Sequence, residues 1–167
     1  ITQVLGARHG VQGMMAGDLV DLGAETPEHL EKVARTPAAA LGSVRMKPEA
    51  DDVAQMIKIF KAKNIRYFFY IGGNDTAETA HIVNQVSAQQ GYDMRCFHIP
   101  KTIDNDLAIT DCCPGFGSVA KYVAVSIREA SYDVASMCET STKVFILEVM
   151  GRHAGWIIKG VQCERAP

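Results

Sequence analysis

From residue 48 onward, apolar and polar positions alternate in blocks that predict helices and strands in turn. Pro48 suits the first position of a helix, because its missing N–H is not needed there. Val53, Met56, Ile57 and Phe60 then recur at helical spacing and form one apolar face. The pattern predicts a helix that packs along one side.

Two later runs have the composition of buried strands. Residues 65–71 (IRYFFYI) are mostly apolar and aromatic, and residues 94–99 form a second run that Pro100 stops. Between them the pattern predicts a helix over about 75–90, with Gly91 at its C-terminal exit.

The last third of the chain predicts a long helix over about 117–138 and a third strand over 143–149. The inward side of that helix is predicted to carry Val119, Val123, Ile127 and Ala130. Strand, helix, strand, helix and strand at these lengths indicate right-handed crossovers and a parallel sheet covered by helices. The predicted fold class is therefore α/β and Rossmann-like, with helices on both faces of a parallel sheet.

Residues 1–47 carry fewer signals. Thr26, followed by Pro27, is typical of a capped helix start. Four glycines before residue 18 indicate turns, namely Gly6, Gly10, Gly13 and Gly17. Periodicity alone leads no further than a generic α/β domain with no activity of its own.

The amino-acid composition limits the classes of protein to which this chain can belong. The 167 residues are 47% hydrophobic, enough for one domain with a core, and the net charge of −2 gives no reason to expect a nucleic-acid or membrane partner. No apolar run approaches the roughly 20 residues that span a bilayer. The N-terminus lacks both a signal peptide and a Met, so we expect a trimmed chain or a piece of a longer one. Five cysteines without CxxC spacing favour a reduced, cytoplasmic protein.

Polar segments follow each of the three predicted strands directly, at 72–76, 100–106 and 150–156. Ligands of open parallel sheets bind beyond the carboxyl ends of the strands. We therefore expect all three segments to lie on one rim, and their convergence is a stronger signal than any one of them.

The first segment joins a strand to a helix through Gly72 and Gly73. Glycines let the backbone approach a phosphate, and a helix N-terminus offers unpaired N–H groups. Gly-Gly also makes ordinary turns, and Asn74 and Asp75 have an equally simple interpretation as helix caps.

The second segment places Lys101, Thr102, Asp104 and Asp106 within six residues. In an extended stretch, the two aspartates would project to the same side. One carboxylate can then accept a proton from a hydroxyl while the other orients the substrate or helps to hold a metal. The alternative is a solvated loop with Asx turns.

The third segment places Arg152 just beyond a predicted strand end, where its guanidinium can fork onto a phosphate. The alternative is a surface arginine. His153 is expected to be structural and Trp156 to lie in the core.

Five motifs in this order resemble the phosphofructokinase family, over roughly residues 40–160. They are LGSVR at 41–45, GGNDT at 72–76, PKTIDND at 100–106, GFGSVAKY at 115–122 and EVMGRHAGW at 148–156. Related kinases that act on NAD or lipids share the first glycine motif, but they are not expected to carry PKTIDND followed by EVMGR.

The resemblance implies a role for each matching residue. Asp104 resembles the general base for the 1-hydroxyl of fructose 6-phosphate. The sugar and its phosphate would be bound by Thr102, Ile103, Asp104, Asp106, Met150, Gly151, Arg152 and Lys143. The donor would be bound by Gly72, Gly73, Asn74, Asp75, Arg45 and Lys101. Lys143 stands where many relatives have an arginine that reaches a neighbouring subunit, and it lacks the planar fork.

Two positions resemble the pyrophosphate-dependent branch of the family. ATP-using relatives have glycine where this chain has Asp75 and Lys101. A carboxylate at 75 would repel the α-phosphate by roughly 4 kcal/mol, for charges about 4 Å apart at an effective dielectric constant of about 20. Lys101 would stabilise the charge of the leaving phosphate. Both residues thus join Asp104 as candidate catalytic groups.

The resemblance also implies Mg²⁺, fructose 6-phosphate and pyrophosphate as partners, in a reversible step of glycolysis. The metal would be held by Asn74 and by Asp104 or Asp106, although Asn74 replaces an aspartate of ATP-dependent relatives. A homodimer or homotetramer is expected.

Against the family pattern, residues 1–167 lack the glycine-rich donor loop at the N-terminus and the C-terminal half. We therefore expect a fragment of the catalytic core that is inactive alone. The alternatives are an ATP-dependent 6-phosphofructokinase, a non-catalytic regulatory subunit on the same fold, and an unrelated α/β binding domain.

Overall fold

A computed structural model describes residues 2–163, with side chains as far as Val161. Its strands are β1 (Leu5–Ala7), β2 (Leu19–Asp21), β3 (Tyr67–Gly72) and β4 (Arg95–Pro100). Its helices are α1 (Val11–Ala16), α2 (Pro27–Arg35), α3 (Ala50–Ala62), α4 (Asn74–Gln89), α5 (Phe116–Met137) and α6 (Trp156–Cys163), and a single 3-10 turn covers Leu22–Ala24.

The chain divides into two compact units. The first contains the residues up to Phe69 together with Glu78–Phe97, and the second contains Tyr70–Ala77 and the residues from His98 onward. Strands β3 and β4 and helix α4 each contribute residues to both units.

The first unit has its core on α3. Val53, Met56, Ile57 and Phe60 are all at most 3% exposed, which confirms the predicted apolar face. The helix begins at Ala50 rather than at Pro48, because the Asp52 carboxylate accepts the N–H of Glu49 and caps the helix there.

The N-terminal segment adds an antiparallel pair and a capped helix to the first unit. β1 pairs with β2 in the register Gly6 to Val20, so Gly6 lies in a strand rather than in the predicted turn. Gly13 lies inside α1, whereas Gly10 and Gly17 flank that helix. The Thr26 hydroxyl accepts the N–H of His29, which confirms the predicted cap of α2.

Strands β3 and β4 pair in parallel. The carbonyl of Arg66 accepts the N–H of Arg95, and farther along the carbonyl of Gly72 accepts the N–H of Lys101, so both strands advance in the same direction. This pairing, with helices before, between and after the strands, confirms the α/β prediction.

The prediction that 65–71 is fully buried was wrong, because exposure alternates along β3 and β4. One face carries side chains that are 40–62% exposed, namely Tyr67, Phe69, Ile71, Phe97 and Ile99. Period-2 alternation of this kind is typical of a strand covered on one side.

The third predicted strand, at 143–149, was also wrong. These residues are irregular and mostly exposed, with Val144 at 70% and Ile146 at 85%. A strand needs a neighbour for its backbone N–H and C=O groups, and none of the described strands pairs with this run.

The second unit is organised by α5 and α6, which pack on each other. The predicted inward residues of α5 (Val119, Val123, Ile127 and Ala130) are all half-buried. At the contact, a Cβ added to Gly160 would lie 2.9 Å from the Cβ of Ala120, so the glycine permits the close approach. None of the described helices is long and apolar enough to cross a membrane.

Candidate active site

The turn from β3 into α4 is built around two glycines. A Cβ on Gly72 would meet the Thr76 hydroxyl oxygen at 2.1 Å, so no larger residue fits beside that side chain. A Cβ on Gly73 would lie 3.8 Å from the carbonyl oxygen of Lys101, which makes these two residues neighbours. Asn74 and Asp75 are exposed and form the first positions of α4.

The loop after β4 turns at once instead of running extended. The Thr102 hydroxyl accepts the N–H of Asp104 at 3.2 Å, and the Thr102 carbonyl accepts the N–H of Asn105 at 3.3 Å. Asn105 then adopts a left-handed conformation with φ 52°. The prediction of an extended stretch was therefore wrong, because side-chain-to-backbone bonds favour the turn.

Asn105 anchors this loop, a role that was not predicted from the sequence. It is 7% exposed, its Oδ1 accepts the N–H of Cys113 at 2.7 Å, and its Nδ2 donates to the carbonyl of Asp111 at 3.3 Å. Asparagine tolerates a positive φ, so an asparagine between two aspartates could have indicated a turn at this position. These bonds fix the positions of Asp104 and Asp106 on either side.

The first two segments meet directly. Nδ2 of Asn74 donates to Oδ2 of Asp106 at 3.1 Å, and the N–H of Lys101 donates to the Gly72 carbonyl at 3.0 Å. Asn74 thus uses its amide to bind a carboxylate. The glycine turn and the aspartate loop are therefore in direct contact.

Asp104 has an unusual carboxylate. The residue is half-buried, and its Oδ1 is fully shielded from solvent with no hydrogen-bond partner among the described residues. Leaving a buried acceptor unpaired costs about 1–3 kcal/mol, and more for a charged group. Such an atom is suited to accept a hydrogen bond from a bound hydroxyl or to contact a cation.

The third segment lies beside the aspartate loop. A cavity of ≈ 460 Å³ is lined by Asp106, Leu107, Thr110, Ala154 and Trp156, among others. Trp156 is 42% exposed, so the prediction that it lies in the core was wrong. As the first residue of α6 it stands at a helix end, and its ring lies 5.0 Å from Nζ of Lys159.

The backbone of the third segment forms a turn in which two consecutive residues have positive φ angles. Gly151 has φ 122° and Arg152 φ 45°, and the Gly151 carbonyl accepts the N–H of Ala154 at 2.8 Å. A left-handed arginine costs about 1–3 kcal/mol, and residues held in this way cluster at functional sites. The Arg152 side chain is exposed and makes no ion pair with a described residue.

The positions of the remaining predicted site residues do not test the roles predicted for them. Lys143 and Met150 are exposed at the two ends of the irregular run. Ile103 is half-buried, with its Cγ2 near Gly115. Arg45 is exposed in an irregular segment of the first unit. Their roles stay predictions.

The ligand atoms that three polar residues of this region offer fit Mg²⁺. Asn74, Asp104 and Asp106 offer only hard oxygen ligands, and one of these oxygens is the buried, unpaired Oδ1 of Asp104. Among the described residues no group of three or more His, Cys, Asp and Glu gathers into a protein-only metal site. Magnesium held by one or two carboxylates plus substrate phosphates is consistent with both observations.

Comparisons with known proteins agree on one family. Residues 1–162 match the family described as Phosphofructokinase. The pyrophosphate–fructose 6-phosphate 1-phosphotransferase of Methylococcus capsulatus is 54% identical over 162 residues, which cover 94% of this chain and 39% of that protein. The chain thus spans about two fifths of the length of this relative.

Solved structures are also similar. The pyrophosphate-dependent phosphofructokinase of Nitrosospira multiformis matches with a TM-score of 0.88 at 51% identity, over 100% of this chain and 42% of that one. The pyrophosphate-dependent phosphofructokinase of Marinobacter aquaeolei matches with a TM-score of 0.85 at 48% identity, with the same coverage of both chains. The fold and the sequence thus match proteins of the same kind.

Proposed function

The chain belongs to the phosphofructokinase family, and on this premise we propose that it forms part of a catalytic core that transfers a phosphoryl group from pyrophosphate to the 1-hydroxyl of fructose 6-phosphate. The family match confirms the resemblance drawn from the five motifs, and the similar structures confirm the α/β fold class. The donor and the sugar are proposals for this chain, which spans 39% of its relative's length.

The observation that carries the proposal is the unpaired Oδ1 of Asp104. A sugar hydroxyl that donates to this oxygen would satisfy it and would place the proton where the carboxylate can remove it. The turn through Thr102 and Asn105 holds the backbone of Asp104 in place before substrate arrives, and the carboxyl group would turn its shielded oxygen toward the hydroxyl.

The donor is proposed to lie along the glycine turn. The N–H groups at Gly73 and at the start of α4 provide positive potential for a phosphate. Nζ of Lys101 makes no ion pair with any described residue, and it would neutralise the phosphate that leaves. Asp75, in the first turn of α4, would repel the α-phosphate of ATP.

Arg152 is proposed to bind the 6-phosphate of the sugar, with Met150 and Gly151 lining the same region. The left-handed backbone at Gly151 and Arg152 supports a site in which conformation is fixed in advance. Lys143 is proposed to reach the sugar phosphate of a neighbouring subunit in a homodimer or homotetramer. Arg45 is proposed to contact donor phosphates.

The reaction balances as a direct displacement. The O1 oxygen of fructose 6-phosphate forms a bond to a phosphorus of pyrophosphate, the bond from that phosphorus to the bridging oxygen breaks, and inorganic phosphate leaves. The hydroxyl proton passes to Asp104. By microscopic reversibility the same groups serve the reverse direction, in which protonated Asp104 would return its proton to the O1 oxygen as phosphate takes up the phosphoryl group.

Asn74 and Asp106, with Asp104, would hold Mg²⁺ against the donor. The bound cation would supply charge neutralisation to the phosphate oxygens. The side-chain bond between Asn74 and Asp106 orients this pair, whatever occupies the site. We also propose that the protein works in glycolysis and in the cytoplasm, with small phosphorylated molecules as its partners.

Turnover by the full-length protein with fructose 6-phosphate and Mg²⁺ tests the proposal. Phosphorus NMR should show pyrophosphate converted to phosphate and a new sugar 1-phosphate. Turnover with ATP in place of pyrophosphate would favour the ATP-dependent alternative. Binding of fructose 6-phosphate without turnover on any donor would favour a non-catalytic subunit.

A further inference from the structure

The carbonyl oxygen of Gly72 accepts two hydrogen bonds. One comes from the backbone N–H of Lys101 at 3.0 Å, and the other from Nε2 of His98 at 2.8 Å. Because a carbonyl only accepts, Nε2 must carry a proton here. Both lone pairs of this oxygen are therefore used.

His98 is placed for this bond by the alternation of β4. It lies on the half-buried face of the strand, as does Cys96, whereas Phe97 and Ile99 face outward. The imidazole therefore lies beside Gly72, the last residue of β3, where the glycine turn begins.

The bond to Gly72 also fixes the next N–H. The peptide group between Gly72 and Gly73 is planar and trans, so the Gly72 oxygen and the Gly73 N–H point in opposite directions. Two consecutive glycines leave this peptide free to rotate unless its oxygen is held. No backbone carbonyl of the described residues accepts the N–H of Gly73.

We propose that His98 is a positioning residue, which holds the Gly72 carbonyl so that the Gly73 N–H is aimed at the pyrophosphate. The inference rests on the proposed function, because it specifies one contact of that donor site. The backbone bond from Lys101 remains when His98 is lost, so the effect on donor binding is partial.

The test compares His98→Leu with His98→Gln in the full-length protein. Leucine removes the N–H that bonds to the Gly72 carbonyl, whereas the side-chain amide of glutamine can donate a hydrogen bond from nearly the same place. Loss of one such hydrogen bond should raise KM for pyrophosphate about three- to ten-fold. The value of kcat and KM for fructose 6-phosphate should stay within about two-fold. His98→Gln should restore KM for pyrophosphate.

His81→Leu is the matched control, because His81 is exposed on α4 and its side chain makes no hydrogen bond or ion pair with a described residue. It should leave all three constants unchanged. Equal increases in both KM values for His98→Leu, or no rescue by His98→Gln, would overturn the inference while the wild type still turns over pyrophosphate.

Crystal structures of the two His98 variants separate this inference from the proposed function. His98→Leu should tilt the Gly72–Gly73 peptide about the bond that Lys101 retains, relative to the wild type, and His98→Gln should not. An unmoved peptide in His98→Leu would overturn the positioning role, even if the wild type proved inactive with pyrophosphate. Inactivity of the wild type would instead overturn the proposed function.

Discussion

Asn74 donates a hydrogen bond from Nδ2 to Oδ2 of Asp106, across 3.1 Å and 32 residues of sequence. The contact joins the glycine turn to the aspartate loop through side chains alone. If it orients the pair for donor binding, the two residues act as a unit and their substitutions should not be additive.

A double-mutant cycle of Asn74→Ala and Asp106→Ala measures this coupling through kcat/KM for pyrophosphate. We expect a coupling free energy of about 0.5–3 kcal/mol, with the double variant less impaired than the product of the single effects. Asn84→Ala, an exposed change on the same helix, should combine additively with Asp106→Ala. Additivity of the Asn74 and Asp106 effects would show that the contact does not contribute to catalysis.

Asp104→Asn should abolish most of the activity. The amide keeps the volume of the carboxylate but cannot accept the proton of the sugar hydroxyl, so kcat should fall about 10²- to 10⁴-fold. KM for fructose 6-phosphate should change little, and steady-state kinetics measure both. Asp93→Asn, at an exposed position before β4, should have wild-type kinetics. A kcat near that of the wild type in Asp104→Asn would assign the base to another residue.

Asn105→Ala should destabilise the protein. The substitution leaves the buried N–H of Cys113 without an acceptor and places alanine at φ 52°. We expect a loss of about 1–3 kcal/mol in the free energy of unfolding from urea denaturation. Asn105→Gly loses the same bonds but tolerates the positive φ, so its loss should be smaller. Alanine at wild-type stability would contradict the anchoring role.

Cys96 should react slowly with alkylating reagents. Burial raises the pKa of its thiol to about 11, so at pH 8 only about one molecule in a thousand carries the reactive thiolate. Iodoacetamide should label the exposed Cys112 first, and the Cys96 rate should rise about tenfold per pH unit from 8 to 10. Mass spectrometry follows both sites. Equal labelling of the two at pH 8 in the folded protein would contradict this account.

Some elements could be predicted from sequence because a single local force determines them. The face of α3 follows from helical periodicity, and the start of α2 from the hydroxyl of Thr26. The run at 143–149 was predicted wrongly, because strand formation depends on a pairing neighbour that composition does not reveal. The same limit applies to the exposed face of β3, since burial depends on what packs there.

The sequence allowed the residues of the candidate site to be predicted better than their arrangement in space. The position of each polar segment directly after a predicted parallel strand indicated that the segments would share an edge, and the glycine turn and the aspartate loop do meet. The turn at Thr102 and the anchor at Asn105 were missed, because side-chain-to-backbone bonds outweighed the extended conformation. His98 was missed because nothing local links a strand histidine to a distant carbonyl.

Donor choice tests the central claim most directly. The measurement is the ratio of kcat/KM for pyrophosphate to that for ATP, in the wild type and in the double variant Asp75→Gly with Lys101→Gly. We expect pyrophosphate to be strongly preferred by the wild type. Removing the repulsive carboxylate and the lysine should shift the ratio toward ATP by at least about tenfold, equivalent to about 1.4 kcal/mol. A wild type that uses ATP in preference, or a ratio that the double variant leaves unchanged, would contradict the account.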